Sequence, residues 1–133
     1  MNIVHAHHRR KGEKNRIVKA APWWCMTFCY MGLIFYLSSR SRLPFAYFTD
    51  GLDKVVHLAA YVPLAFLTYL SMVKSGLRKY AFFTAFAVAC LYGITDELHQ
   101  GAVPGRHPDV GDFVADSIGA FLGSLGGRWS AKG

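Results

Sequence analysis

Residues 22–39 read PWWCMTFCYMGLIFYLSS, a run without one charged side chain. About 17–25 predominantly apolar residues carry a helix across a bilayer. In lipid the backbone must satisfy its own hydrogen bonds, which a helix does within one segment. A secretory signal is the competing reading of such a run. No small-residue cleavage site of the A-x-A type follows Leu37, so the run is read as an uncleaved span.

Three further apolar runs follow, about Val55–Val73, Tyr80–Thr95 and Phe113–Gly127. The third reaches membrane length only by extending into DELHQ, and the fourth is short and contains Asp116. The expected fold is all-α, a four-helix transmembrane bundle over residues 20–129, preceded by a disordered basic tail over residues 1–19. That tail carries Arg9, Arg10, Lys11, Lys14, Arg16 and Lys19 with His5, His7 and His8, and has almost nothing to bury. Basic clusters often bind nucleic acid. Directly before a membrane-length run, this one reads as a topology signal, so membrane lipids and no nucleic acid are the expected partners. Cys25, Cys29 and Cys90 lie within apolar runs at no metal-binding spacing and read as small hydrophobes.

Lys and Arg are retained in cytoplasmic loops. With four spans, the N-terminal segment, the KSGLRK loop and the C-terminal segment share one side, and that side holds 11 of the 15 Lys and Arg. The other side has Arg40, Arg42, Lys54 and Arg106, together with seven of the eight acidic residues. The expected topology is multi-pass, both termini cytoplasmic, segments 39–54 and 96–112 outside. Trp23, Trp24 and Trp129 then fall near the cytoplasmic boundary, where indoles anchor.

At 100° per residue the ionisable groups fall on stripes. Asp53, His57 and Tyr61 form one; Tyr92, Asp96, His99 and Gln100 form another, from which Glu97 points away; Asp109, Asp112 and Asp116 share a third face. Ala115, Gly119, Gly123 and Gly127 repeat along the last helix, a small-residue series that admits close helix approach and overlaps the acidic face. Part of this has a structural explanation. Asp109, after Pro108, suits a helix cap, and VPGR suits a turn with Gly105 free to take positive φ. Capping does not account for Asp116, or for His57 and Asp96 on other helices. Ionisable groups inside a membrane domain are functional candidates by default.

The segments DKVVHLAAY and YGITDELHQGAVPGRHPDVGDFVAD, with the glycine-bearing run after them, resemble the VanZ-like family of small bacterial membrane proteins. The family pattern is D-K-x-x-H at the start of one span, Y-G-x-x-D-E-x-H-Q near the end of the next, then P-G-R and D-x-x-D-x-x-x-(N or D). Ala102 and Val103 stand where an aromatic commonly precedes Pro-Gly-Arg, and Asp116 stands where Asn is common. The resemblance implies action at the cell envelope, the family taking its name from a member linked to teicoplanin resistance.

Two functions compete. An enzyme acting on an envelope lipid or lipid-linked precursor would use His57 as acid or base, with Asp96, Asp112 and Asp116 in its machinery. Lys54 and Arg106 would hold a phosphate or carboxylate, and Asp53, Glu97, His99, Gln100 and Asp109 complete the polar lining. A metal-assisted version would use His57, Asp96, His99, Asp112 and Asp116, an N/O set suited to zinc or manganese whose spacing matches no H-E-x-x-H type motif; the sequence names neither metal nor cofactor. The alternative is a non-enzymatic ligand-binding or transport-like module, proton-coupled through Asp96, Asp112 and Asp116, with homo-oligomerisation supplying the missing wall.

Overall fold

The computed structural model describes the backbone of residues 3–41 and 51–132 and, from Gly12 onward, their side chains. Arg42 and Asp50, counted above with the outer side, lie outside the described residues. The architecture is all-helical: α1 (Ile3–Ser38), α2 (Leu52–Lys74), α3 (Ala81–Gly101) and α4 (Val110–Ser130). Gly12–Ser38, Leu52–Lys74 and Ala81–Gly101 are long and apolar enough to cross a membrane.

The basic segment expected to lack structure is instead the start of α1. Starting a helix is costly, but extending one adds a hydrogen bond for each residue fixed. Lys, Arg, Glu and Ala extend the membrane helix readily toward its N-terminus. At 36 residues, α1 is about 54 Å long against about 30 Å of hydrocarbon, so its basic end projects beyond the apolar layer. Arg16 reaches the α2–α3 turn, where Gly76 has φ 85° and a Cβ would stand 3.0 Å from the guanidinium.

The fourth helix is the second difference. It has 21 residues but is not among the three that qualify by length and hydropathy. Asp112, Asp116 and its glycines lower its apolarity, and its polar face is sealed against α2. Ala115, Gly119, Ala120, Gly123 and Gly127 are all buried. A Cβ at Gly119 would fall on the Leu58 carbonyl and one at Gly123 on the Val62 carbonyl, so the two backbones nearly touch. α2 is the central element, half of its most apolar window being buried against 17% for α1.

One core cluster joins Ile34, Tyr61, Leu64, Ala65, Ala89 and Ala120 across the four helices. A second joins Tyr69, Leu70, Met72, Ala81 and Ala85 toward the KSGLRK end, flanked by Trp23 and Trp24. Trp24 donates to Ser75 at 3.0 Å, and Lys74 lies over the Trp23 ring at 5.9 Å. Trp129 is 80% exposed. Cys25 and Cys29, read as buried hydrophobes, are on the outer face of α1, where lipid can cover them as well as protein would.

Candidate functional site

The C-terminal ends of α1 and α3 and the N-terminal ends of α2 and α4 meet at one end of the bundle. There α4 begins at Asp109, whose extended backbone (φ −128°) and side chain cap the helix by accepting from Gly111 N–H at 2.7 Å. Gly105 takes φ 81° in the turn before it, as VPGR suggested. Lys54 gathers the carboxylates around this cap: Asp109 at 2.7 Å, Asp112 at 3.1 Å and Asp53 at 3.4 Å. Its ammonium holds the Asp109 carboxyl below the ordinary range. Lys54 is therefore already neutralised, and is not the free anion holder that the sequence suggested.

Below this rim lies a buried centre drawn from three helices. His57 Nδ1 meets Asp116 Oδ1 at 3.0 Å, and His57 Nε2 faces Asp112 Oδ2 at 3.7 Å. A carboxylate at each ring nitrogen fixes the imidazole plane. Glu97 completes the group. Its Oε2 accepts from Asp109 N–H at 2.8 Å, tying α3 to the start of α4. Among the described residues Glu97 Oε1, Asp116 Oδ2 and the Tyr61 hydroxyl are buried without a hydrogen-bond partner.

This assembly changes the reading of α3. Glu97, expected to point away, is the α3 carboxylate of the centre and is only 8% exposed. Asp96 turns to α1, where it accepts from Ser38 Oγ at 2.9 Å and from Gln100 Nε2 at 3.1 Å. Gln100 Oε1 in turn accepts from the Arg106 guanidinium, so Arg106 is anchored to Gln100. His99 stacks on Phe35 with ring centroids 4.4 Å apart and shares a 2.9 Å hydrogen bond with Ser39. Asp96, His99 and Gln100 thus do share a region, as their spacing suggested, but it is the α1–α3 seam, and Arg106 joins them there from the loop. Successive helical residues are separated by about 100°. That rotation sends Glu97 toward α2 and α4 and Asp96 toward α1. The metal set that included Asp96 and His99 is accordingly divided between two places.

Three contributors had no assigned role in the sequence reading. Gly93 makes room for Asp116: a Cβ there would stand 3.1 Å from Asp116 Oδ2 and 3.5 Å from the Tyr61 ring. The signal was present as the glycine of Y-G-x-x-D-E. Tyr61, placed on the α2 stripe but given no task, is 1% exposed and lies 6.4 Å from the Tyr92 ring. Ser38, at the end of an uncharged run, carried no signal at all.

Chemically, the centre offers an imidazole, the buried carboxylates of Glu97 and Asp116 and a phenol, with an acidic rim above them and Arg106 anchored on the adjoining seam. Proton exchange and cation binding both suit such a set. Neither a curated protein nor a solved structure matches the chain. A family model described as VanZ/LLP1 matches residues 23–129, from the middle of α1 to the end of α4, every residue of the buried centre included. The chain belongs to the VanZ/LLP1 family.

Proposed function

We propose that this protein acts on the bacterial cell envelope, carrying out acid–base chemistry on the anionic headgroup of a lipid or lipid-linked precursor. By doing so it would alter susceptibility to teicoplanin, in keeping with the family resemblance. The observation that carries the reading is the buried His57–Asp116 pair with Glu97 beside it, at one end of a membrane bundle. Titratable groups held dry in a lined recess are where proton transfer is tuned. His57, clamped at both nitrogens, positions and stabilises charge, while the free oxygen of Glu97 is the atom available to exchange a proton. Arg106, half-buried beside Gln100, is a described cation at this end that is not enclosed by carboxylates and could meet a lipid headgroup.

In this proposal the chain is multi-pass in the cytoplasmic membrane with both termini inside, and the centre opens outward. The Lys and Arg surplus at the opposite end supports that orientation. The test is expression in a teicoplanin-susceptible bacterium, paired with turnover of extracted envelope lipids by the purified protein. Wild type and His107→Ala should change susceptibility and yield product, whereas His57→Gln and Glu97→Gln should do neither at equal membrane abundance. Altered susceptibility without any product would replace the enzyme with a lipid-binding module.

A further inference from the structure

Among the described residues two acidic groups sit at this end of the bundle, and one of them encloses a lysine. Asp53, Asp109 and Asp112 surround Lys54 Nζ, which occupies the position an ion would take. Among the described residues His57, Glu97 and Asp116 have no such lysine. Each brings one ligand atom within 4.8 Å of the others, and all three are buried. Glu97 is 8% exposed and Asp116 fully buried, yet among the described residues Glu97 Oε1 and Asp116 Oδ2 have no hydrogen-bond partner, nor does the Tyr61 hydroxyl. Unpaired carboxylate oxygens at such depth are costly to keep.

We propose that His57, Glu97 and Asp116 bind one divalent transition-metal cation of the zinc or manganese type. One imidazole and two carboxylates form a mixed N/O set suited to those ions, and the two carboxylates balance the double charge. The 3.0 Å separation of His57 Nδ1 and Asp116 Oδ1 is close to the spacing of two ligands on one tetrahedral zinc, about 3.3 Å for bonds of roughly 2.0–2.1 Å. Asp112 lies behind the other ring nitrogen at 3.7 Å. That is the carboxylate–imidazole–metal arrangement by which bound histidines are oriented. Asp109 N–H does the same for Glu97. Three protein ligands leave a position open.

The inference takes its location from the acid–base reading and alters one role in it. With the ion bound, His57 and Glu97 are ligands, and the proton exchanged belongs to water on the ion. An ion also resolves a difficulty of charge. Without it, an anionic headgroup would meet Glu97, Asp112 and Asp116 with Lys54 already engaged.

The experiment uses full-length, tag-free protein in detergent, with His5, His7 and His8 changed to Ala so that those imidazoles do not compete. Zinc and manganese are each titrated, with bound metal read by mass spectrometry and the thermal midpoint followed in parallel. One equivalent should bind and raise the midpoint. Glu97→Gln keeps an acceptor for Asp109 N–H, and Asp116→Asn keeps one for His57. Both should retain helicity by circular dichroism yet lose the equivalent and the midpoint shift. Asp112→Asn should weaken binding by about 10–100-fold. No bound metal in wild type, or unchanged binding in folded Glu97→Gln and Asp116→Asn, overturns the proposal. Absent metal with intact lipid turnover would leave the acid–base reading standing, while bound metal without turnover would do the reverse.

Discussion

Neighbouring carboxylates on α3 do different work because a helix turns about 100° between them. Glu97 faces the buried centre and keeps one oxygen unpaired, whereas Asp96 is satisfied by Ser38 and Gln100. Glu97→Gln should therefore abolish envelope activity while leaving thermal stability equal or higher, since it removes an unpaired buried charge and retains the acceptor for Asp109 N–H. Asp96→Asn should leave a fractional activity, because an amide oxygen can still accept from Ser38 while the hold on Gln100 and Arg106 loosens. His107→Ala, in the exposed turn, should be silent. Paired susceptibility and melting curves decide among these. Loss with Asp96→Asn and normal function with Glu97→Gln would mean the centre lies on the α1 side.

At the scale of elements, the α2–α4 contact positions Asp112 and Asp116 against His57. A Cβ at Gly123 would land on the Val62 carbonyl, while one at Gly126 would meet only the Phe66 ring at an ordinary 3.7 Å. Gly123→Ala should destabilise by about 1–3 kcal/mol, as overpacking does. Gly126→Ala should be neutral, or stabilise by up to about 1 kcal/mol through helix propensity. Thermal denaturation in detergent distinguishes them, and equal effects would refute the close approach. The cap of α4 makes a pH prediction. Lys54 lowers the Asp109 carboxyl, so the charged tie contributes fully above the unfolded carboxylate value of about 3.9. It is lost as pH falls through the lower folded value. Asn also caps helices well, so Asp109→Asn isolates the charge. The wild-type advantage in midpoint over this variant should be level at neutral pH and shrink in acid.

Across the whole molecule, charge is segregated by end. Lys74, Arg78, Lys79, Arg128 and Lys132 gather with the basic start of α1 at the KSGLRK end, opposite the acidic centre. A membrane reads that asymmetry as orientation. Alkaline phosphatase fused after Pro104 should be active and fused after Lys74 inactive; the reverse pattern would turn the centre toward the cytoplasm. Because α1 is mostly exposed and its Ser38 and Ser39 bond Asp96 and His99 on the α1–α3 seam, apart from the buried centre, truncation before Gly12 should leave activity intact.

The helices themselves were legible in the sequence, because hydropathy and helical period are properties of a segment taken alone. So were the burial of the glycine stripe, since only small residues let two backbones touch, and the meeting of His57 with Asp112 and Asp116, since a polar stripe on an apolar helix must turn inward. The division between Glu97 and Asp96 was not legible. Periodicity states which residues share a face, and it grouped Asp96, His99 and Gln100 correctly; which neighbour that face meets depends on how four helices are arranged in space. The engagement of Lys54 and the anchoring of Arg106 to Gln100 also required the assembled bundle. Their long side chains choose among several carboxylates and amides by distance, and those distances exist only once α2, α3 and α4 have packed.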